Sequence, residues 1–299
     1  MRRVWTLLLL TAVYQPRGPA LLAQDSPVPR AVECPSCAEW SVPQQPFRIF
    51  GNTFYVGTHG LSAILLTSDS GHVLIDGALP ESAAGIMSSI RALGFRVEDI
   101  KWILNSHAHY DHAGGIAELQ RASGARVAAS PWSASVIMHG QSGVDDPQYG
   151  VLLPYPAAAT VSTIGDGDTL RIGDLAMTAR FTPGHTPGGT TWTWRSCEGP
   201  RCLDIVYADS QSPISSPSFL YSASSAALSN FERSYAVLEQ LRCDILVTPH
   251  PGASEFFARI AARDNGGLPG LVDTDACRRF AAKARQALAQ RLAAERNGK

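Results

Sequence analysis

Ile100-Lys-Trp-Ile-Leu-Asn-Ser-His-Ala-His-Tyr-Asp-His-Ala-Gly-Gly115 is the stretch on which the fold turns. Ile100 to Leu104 is a short apolar run that reads as a buried strand. It empties into a polar segment, Asn105 to His112, and a helical pattern follows over residues 113–123. Within that segment, His107-Ala-His109-Tyr-Asp111-His112 packs three of the chain's eight histidines and one carboxylate into six positions. Zinc favours imidazole nitrogen and carboxylate oxygen. In extended backbone His107 and His109 project to one side, and Asp111 and His112 turn at the helix start toward a second position. A strand that ends on metal-type ligands and runs into a helix predicts an α/β fold with its site at strand ends.

Upstream, Phe47–Val56, Ala63–Thr67 and His72–Asp76 are β-branched and aromatic runs broken by turn residues, a meander of antiparallel strands. Residues 81–94 carry Ile86, Ile90 and Leu93 at helical spacing and stop at Gly94. Residues 126–130 form another strand. The second half repeats the theme. Thr169–Ala179 reads as a hairpin turning at Gly173-Asp174. Thr190–Trp194, Asp204–Ala208 and Ile245–Thr248 are strands, Asn230–Arg242 a helix, and Thr274–Glu295 an alanine-rich closing helix. Strands alternate with helices in both halves. This predicts two packed sheets with helices outside, a four-layer αβ/βα sandwich, as one domain over residues 46–299.

Two more histidines sit at strand ends. His185 lies in Thr182-Pro-Gly-His-Thr-Pro-Gly-Gly189, and His250 in Val247-Thr-Pro-His-Pro-Gly252. A lone loop histidine is usually a solvated side chain. Here Pro and Gly on both sides fix the backbone and present the ring, so both join the candidate ligands.

The chain has 299 residues, 45% of them apolar and 17% charged, with net charge −1. That is globular composition, with no basic field to attract nucleic acid and no apolar run long enough for a stable membrane span. Arg2-Arg3, an apolar Val4–Tyr14 and Leu21-Leu22-Ala23 read as an export signal over residues 1–23, cleaved before Gln24, although Arg17 interrupts it. Residues 24–45, rich in Pro, Ser and Gln, read as an extended arm. No conspicuous apolar surface stripe argues for association, so a monomer is expected.

Export allows disulfides. Cys197 and Cys202 flank Glu-Gly-Pro-Arg, a tight turn that a disulfide would close. Cys243 before a strand and Cys277 in the last helix are paired to pin that helix. Cys34-Pro-Ser-Cys37 could be a redox pair or half a zinc site, but no second such motif exists; a local disulfide or free thiols fit better.

The His-x-His-x-Asp-His loop, Pro-Gly-His-Thr-Pro-Gly and a final strand-end histidine resemble the metallo-β-lactamase superfamily over roughly residues 45–290. Tyr207-Ala-Asp-Ser-Gln-Ser212, Thr248-Pro-His-Pro-Gly-Ala-Ser254 and Gly189–Cys202 resemble its subclass-B3 β-lactamases. The resemblance implies a periplasmic enzyme with two Zn2+ per chain. One would sit on His107, His109 and His185, the other on Asp111, His112 and His250. It implies hydrolysis of β-lactams, carbapenems included, by a metal-activated hydroxide, with Asp111 also orienting the nucleophile. Ser210 and Ser212 would donate to a substrate carboxylate, and Gln148 would face the cleft. The covalent serine route lacks its Ser-x-x-Lys signature.

Relatives of this pattern place a cysteine in the Gly-Thr-x-Gly turn where this chain has His59, here read as a solvent-facing residue. Lactonase-like and glyoxalase-II-like members carry an Asp, near Asp209, that bridges both metals; Asp209-Ser210 fits either pattern. A lactonase or thioester hydrolase is therefore the alternative function. A nuclease and a non-catalytic zinc protein are weaker ones.

Overall fold

Period-two burial builds the layers. In the computed structural model, which describes residues 34–298, Ile64 and Leu66 face one side of their strand and Leu65 the other; Val73 and Ile75 alternate with Leu74 in the same way. Such strands are buried on both faces and need a layer on each. The predicted export signal, and the arm before residue 34, lie outside the described residues.

The first sheet has seven strands in sequential order: β1 Phe47–Phe50, β2 Thr53–Tyr55, β3 Ile64–Leu66, β4 His72–Ile75, β5 Ile100–Leu104, β6 Arg126–Ala129 and β7 Ser162–Thr163. β1 to β4 pair antiparallel, as the meander reading predicts, and β4 to β7 pair parallel. The parallel steps need crossovers, which the helices supply. The second sheet runs β12-β11-β10-β9-β8, built from β8 Thr169–Ile172, β9 Leu175–Phe181, β10 Thr190–Glu198, β11 Arg201–Tyr207 and β12 Ile245–Val247.

The sheets meet through Tyr55, Ile64, Leu66, Val73 and Ile75 on one side and Met177, Trp192, Ile205, Tyr207 and Val247 on the other. The outer face of the first sheet buries Leu65, Leu74 and Ile103 under helices α2 Ala83–Ala92, α4 Ile116–Ser123 and α5 Pro131–His139. The outer face of the second buries Val206 and Leu246 under α6 Ser225–Gln240 and α8 Ala276–Arg296, through Phe231, Tyr235, Leu238, Ala281 and Leu288. The order is helix, sheet, sheet, helix. Each such side chain contributes about 1.5–3 kcal/mol on burial.

Some elements differ from the sequence reading. The 81–94 helix begins as a 3-10 turn, Pro80–Ser82, before α2. The 113–123 helix is broken at Gly114-Gly115 into α3 Tyr110–Ala113 and α4. α6 starts five residues earlier than read, capped by the Ser224 hydroxyl accepting from Ala227 N at 3.3 Å. α5 and α7, Phe256–Gly266, were not anticipated. The arm holds a single helical turn, α1 Cys37–Trp40. Three disulfides form: Cys197–Cys202, directly opposed across β10 and β11, Cys243–Cys277 and Cys34–Cys37. No helix of the described residues is long and apolar enough to cross a membrane.

Candidate metal centre

β5, β9, β11 and β12 all deliver their C-terminal ends to one edge of the sandwich. The loop leaving β5 is fixed from below by Asp76, a non-glycine residue at φ 61°. Its buried carboxylate accepts from Ser106 N at 2.8 Å, Ser106 Oγ at 2.6 Å, Asn105 Nδ2 at 3.1 Å and Tyr207 OH at 2.9 Å. Four donors fill the lone-pair capacity of a carboxylate. Burial still raises this carboxyl above its ordinary range, against the charge of His112 and these donors. From the second sheet, Trp192 Nε1 donates to Asn105 O at 3.0 Å and Thr190 N to Ser106 O at 2.8 Å. The histidines that follow therefore leave a backbone held by both sheets.

His107, His109 and His185 form a nearly equilateral triangle of rings, with centroids 4.8, 4.9 and 5.0 Å apart. Each ring is held at its outer nitrogen. His107 Nδ1 meets Asp209 Oδ1 at 2.7 Å, His109 Nε2 meets Asp146 Oδ2 at 3.0 Å, and His185 Nδ1 donates to Ser212 O at 2.8 Å. Those partners fix the tautomers and turn one nitrogen of each ring inward. The inward His107 Nε2 is buried with no hydrogen-bond partner. An orphan of that kind costs about 1–3 kcal/mol unless something ligates it.

A second cluster adjoins the first. Asp111 Oδ2 lies 3.2 Å from His112 Nε2 and 3.2 Å from His250 Nε2, and the two nitrogens are 3.2 Å apart. Donors at about 2.0 Å around a tetrahedral ion would stand about 3.3 Å from each other. The three atoms are spaced as three corners of that tetrahedron. His107, with Asp111 and His112, also forms a ligand-competent group, so the clusters are contiguous.

The titration state suits ligation, which needs unprotonated imidazole and ionised carboxylate. Burial, then the neighbouring histidines, push His107 well below the usual histidine range. Burial and His109 bring His185 down to about 3. Burial alone would raise Asp111, but His112 and His250 outweigh it and hold the carboxyl well below its ordinary value. An all-nitrogen triad and an N2O triad of this kind fit zinc.

All six predicted ligands thus come together. Gln148, half-buried, reaches the first triangle with Nε2 3.4 Å from His185 Nε2. Ser212 stands behind His185, with Oγ 3.1 Å from Nδ1, and Ser210 is half-buried beside Asp209. Asp209 itself, 0% exposed, faces the outer edge of His107. Gly189 lets the chain close behind it: a Cβ there would lie 2.4 Å from Asp209 Oδ2 and 2.6 Å from Thr182 O. His59 is exposed, as read, and stacks on Phe257 with centroids 4.5 Å apart.

Sequence reasoning missed the carboxylates that hold the ligands. Asp76 and Asp146 carried no role, although acids at a strand end and in Asp145-Asp146-Pro-Gln were visible signals. It also missed the arm as a wall of the site. The Trp40 ring lies 5.2 Å from that of His250, and Tyr110 OH donates to Cys34 Sγ at 3.3 Å.

The sequence model of the metallo-β-lactamase superfamily matches residues 56–250. Among solved structures, the Rm3 metallo-β-lactamase is 53% identical, with a TM-score of 0.86, over 88% of this chain and 99% of that one. MEM-A1, a subclass-B3 metallo-β-lactamase isolated from a soil metagenome library, is 48% identical, with a TM-score of 0.85, over 87% of this chain and 100% of that one. The hydroxyacylglutathione hydrolase of Rhodospirillum rubrum is 26% identical over 43% of this chain and 41% of that enzyme. The chain spans less than half the length of the curated relatives it first matches.

Proposed function

The chain belongs to the metallo-β-lactamase superfamily, and we propose that it is a zinc-dependent β-lactamase of the subclass-B3 type, binding two Zn2+ and opening penicillins, cephalosporins and carbapenems. What carries this reading is the position of Asp209. A bridging carboxylate, as in the lactonase and thioester-hydrolase reading, would face both clusters. Asp209 is instead committed to His107 Nδ1 at 2.7 Å, on the far side of the ring. Similarity over 99% and 100% of two β-lactamases, against 41% of a thioester hydrolase, supports the same choice.

His107, His109 and His185 would hold one ion, and Asp111, His112 and His250 the other. Bound zinc supplies two things: a water acidic enough to attack at neutral pH, and a Lewis acid for the lactam carbonyl. The protein's own groups do the rest. Asp209, Asp146 and Ser212 O fix the three imidazoles, so the site does not reorganise as charge develops. Asp111 stays ionised and orients the attacking water. Ser210 and Ser212 offer hydroxyls to the substrate carboxylate, and Gln148 offers an amide from the facing loop. Trp40 and Tyr110 wall the cleft on the His250 side and limit water. The enzyme acts as a monomer in the periplasm after removal of residues 1–23, with 24–45 as its arm and 46–299 as its catalytic domain.

The test is hydrolysis of a carbapenem by the purified protein, with chelator and with zinc restored. Turnover should disappear on chelation and return with zinc. A folded protein carrying two zincs that leaves penicillins, cephalosporins and carbapenems intact would overturn the reading in favour of a lactone or thioester hydrolase.

A further inference from the structure

One loop touches two histidines of the metal triangle and is otherwise thinly attached. It runs from Gln141 to Pro154 and closes at its base where Tyr155 N donates to Gly140 O at 2.9 Å. Its outer side is wet: Val144 is 79% exposed, and Tyr149 and Val151 are 44% exposed. Its inner side carries Asp146, whose side chain is 0% exposed. Asp146 Oδ2 meets His109 Nε2 at 3.0 Å, and Oδ1 accepts from Gln148 N at 2.8 Å. One carboxylate thus orients a ligand of the site and shapes the turn that aims Gln148 at His185. Two further bonds hold the loop at its flanks. Trp132 Nε1 donates to Asp145 Oδ2 at 2.6 Å, and Ser216 N donates to Pro147 O at 2.8 Å.

We propose that Asp146 couples this loop to the metal, so that filling the site orders the loop and ordering the loop tightens the site. The physical basis is direct. With Nε2–H given to Asp146, His109 presents Nδ1 inward. Charge drawn from the ring by a cation makes Nε2–H a stronger donor, and the charge-assisted bond to a buried carboxylate strengthens with it. Beyond the Trp132, Ser216 and Gln148 contacts, this bond is the one that ties the inner side of the loop to the triangle, so the loop's order depends on it. Coupling between two such equilibria is reciprocal: the factor by which metal favours the ordered loop is the factor by which the ordered loop favours metal, so a change that loosens the loop weakens metal binding by up to that factor. Asp146 is a positioning residue, acting through His109.

The proposal rests on the metal part of the functional reading and not on the substrate. Its test therefore uses zinc alone. Amide hydrogen exchange over residues 141–154 is followed with and without zinc, and zinc affinity is measured against a chromophoric chelator. In the natural protein, zinc should slow exchange in the loop about tenfold or more. Asp146→Ala should bind zinc about 10- to 100-fold more weakly, and its loop should exchange fast even at saturating zinc. Asp146→Asn, whose amide oxygen still accepts from Nε2–H, should fall between them. Trp132→Phe removes only the Asp145 bond and touches no ligand; it should still weaken zinc several-fold. Loop exchange indifferent to zinc, or unchanged zinc affinity in both Asp146→Ala and Trp132→Phe, would overturn the coupling. A protein that shows the coupling yet hydrolyses no β-lactam would leave it standing and sink only the functional reading.

Discussion

Asp209 and Asp146 perform one task on two histidines, but from different surroundings. Asp146 rides on an exposed loop. Asp209 follows β11 in the interior, and burial, with the Asp76 charge nearby, raises its carboxyl well above the ordinary range. That cost is tolerated because the Asp209 carboxylate and His107 lie 2.7 Å apart and neither is exposed. Replacing Asp209 with Asn keeps the shape and removes the charge. The variant should bind zinc about 10- to 100-fold more weakly. Chelator competition reads this directly, and an affinity equal to the natural protein's would mean that Asp209 does not orient the site. The six candidate ligands were legible in the sequence because four crowd into one loop and two stand between Pro and Gly. Their supports were not. Asp209 is 102 positions from His107 and follows a strand of the other sheet, and Asp146 is 37 from His109 on a separate loop, and nothing in sequence spacing links such residues.

Strands and long helices announced themselves by period, and β5, the β8–β9 hairpin and α8 fall within a few residues of their predicted places. α5 was missed despite complete signals: Ser130 at the cap, Pro131 at the first position and Gly140 at φ 68°. Its apolar residues form no clean stripe, since Trp132, Val136, Ile137 and Met138 run round the helix and Met138 is 44% exposed. The end of α8 makes a contact that no periodicity reveals. Glu295 accepts from Arg291 Nε at 2.7 Å, Tyr221 N at 3.1 Å and Ser222 N at 2.8 Å. Burial opposes ionisation there, but these donors win and bring the carboxyl from 4.5 down to about 2. A carboxyl lowered on folding stabilises the fold above its unfolded value and loses that contribution as pH falls through its folded value. Glu295→Gln should therefore cost about 1–3 kcal/mol at pH 7. The gap between variant and natural protein in urea midpoint should close as pH drops from 4.5 toward 2. A gap that persists unchanged at the acid end would assign the effect to packing rather than charge.

Across the whole molecule the ligands divide between the sheets. His107, His109, Asp111 and His112 follow β5 of the first, whereas His185 and His250 follow β9 and β12 of the second. Metal held by both groups would tie the layers together at their open edge. Ligand binding stabilises the native state by RT ln(1 + [L]/Kd), about 4 kcal/mol at a thousandfold excess over Kd. At about 2–4 °C per kcal/mol for a chain of this size, chelation should lower the melting temperature by about 10 °C. Calorimetry with and without chelator measures it; a melting temperature indifferent to chelation would mean that no ion bridges the sheets.

The floor and the rim of the cleft stand in different relations to inheritance. Beneath the histidines the chain is packed to contact. A single added carbon at Gly114 would meet Tyr110 O at 2.3 Å, and one at Gly189 would meet the carboxylate that steadies His107. The side chains of Val144, Tyr149 and Val151, a few residues from Gln148, stand in solvent. Descendants of this gene can rewrite those three exposed side chains without touching the packed floor, provided Asp146 keeps its bonds to His109 and Gln148. New preferences among substrates are accordingly cheap to evolve, whereas the reaction itself is passed on almost unaltered.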